Sequence, residues 1–216
     1  MRSCTRVLPA LLLALLALPA AAATPRVSVY ALRMDPGAPL KRGVWNSGYG
    51  GGAEVSWPIP RSEGLLALTG GAEVSSLLSG VSTVVDTATG VRFEHHTDQL
   101  YGRFFLGGEL GPHGEGTVQP YVNLALSTIV YGYFDDVNVN AGGHSREVVA
   151  CQHEVGVGWS AGAGVNLDFR RFGVMGGVRY LRQFGTPQQL GDGAVRIEPA
   201  YMQYRIGVTL PFPTEP

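Results

Sequence analysis

The sequence predicts an all-β chain: an eight-stranded antiparallel up-and-down transmembrane β-barrel, preceded by a cleaved signal peptide. Three observations predict it. Apolar residues alternate with Gly, Ser, Asn and isolated charges in eight separate stretches. The connections between those stretches alternate strictly, long then short. The N-terminus has the parts of a secretory leader.

The leader comes first. Arg2 and Arg6 give a positive start, Leu8 to Leu18 a short apolar core, and Pro19 to Ala23 the small residues that a signal peptidase needs. The apolar core is shorter than the ~20 residues of a membrane-spanning helix. Cleavage is expected after Ala23, with Ala22 nearly as suitable, which makes 1–23 a signal peptide and 24–216 a single barrel domain. Cys4 leaves with the leader and Cys151 remains alone, so no internal disulfide forms. The whole chain has 16 basic and 17 acidic residues. Loss of Arg2 and Arg6 leaves 14 against 17, which excludes a globally basic nucleic-acid binder. No spanning apolar run follows residue 23, which excludes a helical membrane protein.

The strands follow in order. Arg26 to Met34 is the first. Tyr49 to Trp57 sets Tyr49, Ala53, Val55 and Trp57 against Gly50, Gly52, Glu54 and Ser56. Leu65 to Ser75 places Glu73 on the polar side. Leu100 to Leu110 sets Leu100, Phe104, Leu106 and Leu110 against Arg103 and Glu109, and Pro120 to Val130 sets Val122, Leu124, Leu126 and Val130 against Asn123 and Ser127. The clearest alternation runs from Glu154 to Asp168, where Val155, Val157, Trp159, Ala161, Ala163, Val165 and Leu167 share one face. Phe172 to Tyr180 sets Phe172, Val174, Val178 and Tyr180 against Arg179. Ala200 to Phe212 sets Met202, Tyr204, Ile206, Val208, Leu210 and Phe212 against Gln203, Arg205 and Thr209.

Long connections are expected after the first strand, over 76–99, over 131–153 and over 181–199. Short turns lie at PIPRSEG, GPHGEGT and Arg170-Arg171. This arrangement collects the long loops at one end of a barrel, as in outer-membrane barrels. The Val81 to Thr87 stretch is rich in β-formers and is expected to extend the strands beyond the membrane and offer an edge to a partner.

A soluble lipocalin-type barrel has the same strand count, and the polar face separates the two. Bare Gly on a water-facing strand weakens it, whereas inside a narrow barrel it makes room for long neighbours. The apolar set is therefore expected to face lipid. Glu54, Glu73, Arg103, Glu109, Glu154, Asp168, Arg179 and Arg205 then form a polar network in the barrel interior, tolerated because acids and arginines pair. Eight strands enclose a space that side chains just fill, which argues against an open pore. Tyr49, Trp57, Phe172, Tyr180, Tyr201, Tyr204 and Phe212 are the candidates for interfacial aromatic girdles.

The final strand carries a further signal. Arg205, Gly207, Leu210 and Phe212 fit the pattern polar, any, Gly, any, any, hydrophobic, any, aromatic. This resembles the C-terminal insertion signal read by the barrel assembly machinery of Gram-negative bacteria. The chain resembles the small eight-stranded outer-membrane barrels typified by the OmpA membrane domain, OmpX and the opacity-type adhesins. Pro213 to Pro216 beyond the aromatic depart from that pattern. The resemblance implies the cell outer membrane as location, with outer-membrane lipid and lipopolysaccharide around it.

Some barrels of this class are enzymes, so catalytic groups are a fair expectation to weigh. Their lipid A deacylases carry His-any-Ser, whereas His144-Ser145 is adjacent and His153-Glu154 has no evident serine partner. Glu94, His95, His96 and Asp98 are metal-ligating types, yet their spacing matches no closed site. Asp135, Asp136, Asn138 and Asn140 lack the EF-hand pattern. Neither catalytic nor metal-binding residues are assigned, and no cofactor is expected. The expected role is a non-enzymatic envelope or surface-interaction protein acting through its outer loops, towards an extracellular partner that the sequence does not name. The alternatives are a lipid A-modifying enzyme, a small-solute channel and a soluble lipocalin-like binder.

Overall fold

The structure is a computed structural model. It describes residues 25–37, 47–113, 117–141, 144–169, 171–184, 186–190, 193–197 and 200–211. The leader region and Phe212 lie outside the described residues, as does the side chain of Cys151.

Among the described residues ten strands follow in chain order: β1 (Arg26–Pro36), β2 (Gly48–Pro58), β3 (Leu66–Val85), β4 (Arg92–Leu110), β5 (Val118–Ala141), β6 (His144–Asp168), β7 (Gly173–Gln183), β8 (Thr186–Leu190), β9 (Gly193–Ile197) and β10 (Ala200–Pro211). Eight of them close a barrel in the order β1-β10-β7-β6-β5-β4-β3-β2, every pair antiparallel. β8 and β9 form a separate hairpin within the last long connection, where the sequence predicts no strand.

The register fixes the barrel's geometry. Following cross-strand partners from Arg26 leads through Ser56, Thr69, Gly107, Ala125, Ser160, Leu181 and Tyr201 and returns to β1 at Pro36. The stagger is therefore ten residues (36 − 26) over eight strands. With ordinary strand spacings this tilts the strands by about 40° and closes a barrel that side chains fill.

The surface is inside out relative to a soluble protein. Phe104, Leu124, Leu126, Val155 and Ile206 are each more than 60% exposed, while Arg103, Arg179 and Gln203 are at most 1% exposed. An apolar band of this extent needs lipid, not water, as its surroundings. Inward glycines leave room for aromatic rings. A Cβ on Gly164 would meet Tyr121 Cζ at 2.5 Å, and one on Gly52 would meet Tyr30 Cε2 at 2.9 Å.

Two connections are shorter than the sequence reading has them. The segments 76–99 and 131–153 are mostly strand: β3 runs on through Val85, in keeping with the extension expected from Val81 to Thr87, and meets β4 at a turn over 86–91, while β5 and β6 pair out to Ala141 and His144. β4 and β5 also pair over the same stretch, from Gly102↔Val130 up to Arg92↔Asn140. The four strands thus continue as one sheet beyond the barrel mouth. Strand length here follows from neighbours that supply hydrogen bonds, which period-two patterning alone does not reveal. A register shift at Ser76/Leu78 leaves Leu77 unpaired in β3, and its side chain is buried.

Candidate functional site

The barrel interior is layered, and each layer draws on several strands. At its centre lies an ion-pair lattice to which all eight barrel strands contribute. Glu73 on β3 is the hub. Its Oε1 accepts hydrogen bonds from Tyr30 Oη on β1 (2.7 Å) and from Arg179 on β7 (3.0 Å). Its Oε2 accepts from Arg103 on β4 (3.0 Å) and from Gln203 Nε2 on β10 (2.9 Å). Glu54 on β2 accepts from Arg179 and Arg205, both at 3.0 Å. Arg103 also donates to Ser160 Oγ on β6 at 2.6 Å, and Arg205 to Tyr121 Oη on β5 at 3.4 Å.

Aromatic rings pack between these charges. The Phe105 ring lies 4.6 Å from the Arg103 guanidinium carbon and 4.9 Å from that of Arg179, and Tyr30 lies 4.9 Å from that of Arg205. Cation–π contact supplements hydrogen bonding where water is excluded. Both carboxylates and all three guanidiniums are nearly fully buried, so the ions are held by one another, by the neutral donors on Tyr30 and Gln203 and by the neutral acceptors on Ser160 and Tyr121.

The layer towards the long loops is apolar, contrary to the uniformly polar interior of the sequence reading. Leu32, Met34, Leu77, Tyr101, Ile129 and Tyr201 form one buried cluster there. Tyr201 is a correction: expected in the outer girdle, it is 3% exposed and stacks inside against Tyr101 at 6.0 Å. It stands three residues from Tyr204, hence on the opposite face of the strand. Near strand ends both faces of the sequence are apolar, so alternation does not separate inner from outer residues.

The layer towards the short turns is a polar chamber. Arg26 donates to Gln119, which also accepts from Asn166 at 3.3 Å. Two cavities of about 20 and 40 Å³ lie here, lined by Arg26, Asn166 and Thr209 in common, with Glu54 and Glu109 on one and Asp168 on the other. Each has the size of one to a few waters. The turn after β4 folds inward. The His113 ring sits between the Glu109 carboxylate (Nε2 to Oε1, 2.9 Å) and the Gly64 carbonyl (Nδ1 to O, 3.1 Å), joining two short turns.

The residues singled out from the sequence therefore fall into three groups. Glu54, Glu73, Arg103, Arg179 and Arg205 meet in the lattice. Glu109 and Asp168 stand apart from it at the turn end, incompletely buried. The side chain of Glu154 lies outside the described residues. Sequence reasoning missed Tyr30, Phe105, Tyr121, Ser160 and Arg26 as partners, although inward parity places each beside a named charge. Of the C-terminal signal, Arg205 belongs to the lattice, Gly207 and Leu210 lie in β10, and Phe212 is outside the described residues.

The candidate metal ligands do not assemble among the described residues. Glu94 pairs with Arg92 at 2.7 Å, the side chain of His95 is outside the described residues, and no cluster of three ligating side chains occurs among the described residues. The side chains of Asp135, Asp136, Asn140, His144 and Ser145 also lie outside the described residues.

No protein-family model matches the chain, and no curated protein does. Among solved structures the chain is similar to Neisserial surface protein A, with a TM-score of 0.54 and 14% identity over 87% of this chain and 97% of that one. It is also similar to a major outer membrane protein of Thermus thermophilus (TM-score 0.48, 10% identity, 87% and 99% covered). A third likeness is to Ail, the attachment invasion locus protein of Yersinia pestis (TM-score 0.44, 10% identity, 88% and 97% covered). At such identities the likeness is one of fold. With its lipid-facing apolar band, closed sheet and buried ion pairs, the chain has the fold of the small eight-stranded outer-membrane β-barrels.

Proposed function

We propose that the chain is a non-enzymatic, non-conducting anchor that presents its long loops at the cell surface for contact with an extracellular partner. One observation carries the reading. β3, β4, β5 and β6 continue as a hydrogen-bonded sheet well past the level at which β1, β2 and β7 stop, on a barrel whose interior is filled. A rigid base under projecting segments suits recognition more than transport. Lipid and lipopolysaccharide surround the barrel in this reading, and the barrel assembly machinery inserts it.

The test compares the full chain with a variant in which 79–97 and 133–152 are replaced by short turns. Both are expected to fold, as judged by altered SDS-gel migration on boiling. The full chain is expected to promote adhesion of expressing cells to coated surfaces, and the variant to lose it. Equal adhesion by the two overturns the surface-contact role. Stepwise conductance in planar bilayers, or a changed lipid A mass on expression, overturns the non-conducting or non-enzymatic part.

A further inference from the structure

The projecting part of the sheet has two borders of different character. The β2–β3 ladder ends at Tyr49↔Ser76, and β3 runs on to Val85. Over Leu78 to Val85 it pairs with β4 on one side and, among the described residues, with no strand on the other. In an antiparallel pair alternate residues turn their N–H and C=O groups away from the partner, so this edge offers a row of backbone donors and acceptors. At the other border the β6–β7 ladder ends at Gly158↔Gln183, and β6 extends beyond it as far as His144. Leu77 to Val85 contains no charged residue and no Pro, whereas His144 to Gly156 contains Arg146, Glu147 and Glu154. Charged residues and Pro are the usual guards of an edge strand against further pairing. β6 has such guards and β3 has none, so β3 is the border open to a further strand.

The surroundings of that border are acidic. Segments 77–99 and 131–154 hold seven acidic residues against two arginines, a balance of −5. The rest of the chain after residue 23 holds ten acidic against twelve basic residues, or +2. The negative excess therefore sits on the part that projects. Two of its carboxylates stand next to β3: Asp98 is opposite Ser79, and Glu94 is opposite Thr83. Both share the outer face of β4 with exposed Leu100 and Phe104. Asp98 is exposed, whereas Glu94 is half-buried and bonds Arg92, a competing cation, at 2.7 Å. A strand added to β3 sets its residues two strand spacings, roughly 10 Å, from Asp98 and Glu94. Lysine and arginine side chains span that distance by lying across the small residues at 79 and 83.

We propose that the free edge of β3 takes up an extended, basic segment of a partner protein as an added strand of the projecting sheet. Backbone hydrogen bonds along residues 78–85 supply the affinity. Lysine or arginine at two positions four apart, opposite 79 and 83, supplies the selectivity, with Asp98 as the stronger contact because Arg92 occupies Glu94. A second copy of this chain is a poor occupant, since its own projecting segments carry the same negative excess. The inference rests on the surface-contact role proposed above and names the partner that this role leaves open.

The test is fluorescence anisotropy with the full chain in nanodiscs of phosphatidylcholine, which carries no net charge. The probe is a Thr/Val peptide of about ten residues with lysines four apart. The comparison peptides have glutamate in place of lysine, or keep the lysines and have either the odd or the even backbone amides N-methylated. The lysine peptide is expected to bind about tenfold more tightly than the glutamate peptide. One of the two N-methylated peptides is expected to lose about tenfold and the other to keep its binding, because an added strand uses only one of its edges. Glu94→Gln with Asp98→Asn is expected to bring the preference for lysine over glutamate to about threefold or less. Equal binding of both N-methylated peptides means attraction of charge without strand pairing and overturns the proposal, as does equal binding of the lysine and glutamate peptides. Binding of the lysine peptide only after 38–46 is replaced by a Gly/Ser linker gives the edge to the chain's own segment with Lys41 and Arg42, and overturns it too. If the double variant fails to fold, the four peptides on wild type decide the matter. Loss of adhesion in the loop-replaced protein, together with failure of the lysine peptide, removes the added strand and leaves the surface-contact role standing.

Discussion

The central lattice and the turn-end chamber both keep charge away from bulk water, but with different degrees of closure. In the centre, three guanidiniums share two carboxylates, and Glu73 alone accepts four hydrogen bonds. At the turn end, Arg26 faces Glu109 and Asp168, the acids keep some exposure, and polar cavities lie beside the groups. Together these two layers hold four arginines and four carboxylates, with the positive excess in the centre and the negative excess below it. The contrast teaches that pairing counts less than desolvation: a carboxylate without water depends entirely on its donors, whereas one beside a cavity has water as an alternative.

The sharpest way to break this comparison is to remove the hub. Glu73→Leu strands Arg103 as a buried cation and leaves Arg179 with Glu54 as its one carboxylate. It is expected to cost about 3–5 kcal/mol, the usual consequence of deleting one partner of a buried ion pair. Urea unfolding of the refolded barrel in lipid vesicles reads this directly. A loss below about 1 kcal/mol would mean that the centre is as well hydrated as the chamber. Glu54→Gln leaves Arg205 without its carboxylate but keeps an amide oxygen in place. The expected loss is about 1.5–3 kcal/mol, on the scale of a hydrogen bond to a charged group.

Space within the barrel gives a second, smaller test. Tyr121 packs over Gly164 and accepts a hydrogen bond from Arg205. Gly164→Val forces that ring away and is expected to cost about 1–3 kcal/mol through overpacking. Gly176→Ala is the matched control, because its added Cβ would meet nothing closer than the Arg205 carbonyl at 4.0 Å. At the turn end Asp168→Asn is expected to change stability by less than about 1 kcal/mol, as for a partly solvated ion pair. A cost equal to that of Glu73→Leu would remove the distinction between the two regions.

What the sequence makes legible is parity, and what it conceals is register. Period-two alternation separates lipid-facing Leu124 and Ile206 from inward Asn123 and Arg205 because a strand's successive side chains must point apart. It does not reveal that Glu73 meets Gln203, 130 residues away, because that contact depends on the ten-residue stagger accumulated over the barrel. Tyr201 is misplaced for a related reason: residue type alone suggests a girdle for an aromatic near a strand end, and its parity relative to Tyr204 decides otherwise. Leu77 faces inward beside a bulge, and no sequence pattern announces that irregularity. The extended β3–β6 sheet depends on pairing between distant segments whose own alternation is faint.

A carboxylate in full contact with water completes the comparison and gives the smallest effect. Asp86 opens the β3–β4 turn, far beyond the barrel mouth. Its oxygens accept from the Thr89 hydroxyl at 2.6 Å and the Ala88 N–H at 2.9 Å. These donors hold its carboxyl below the ordinary value of 3.8, the Thr89 hydroxyl contributing most. A carboxyl lowered on folding stabilises the turn above its unfolded-state pKa, and that contribution fades as pH falls through the lower folded-state value. The backbone bonds Gly90 N–H to Asp86 O and Asp86 N–H to Val91 O are therefore expected to keep their protection at neutral pH and to loosen only below about pH 4. Amide exchange of Gly90 between about pH 6 and pH 2, in wild type and Asp86→Asn, measures this. The variant should show no acid step at Gly90, and the barrel amides should show none of this turn's titration in either protein. A barrel-wide loss of protection tracking the Asp86 titration would mean that the projecting hairpin and the barrel open together, so that the solvent-exposed carboxylate and the buried ones belong to one cooperative unit.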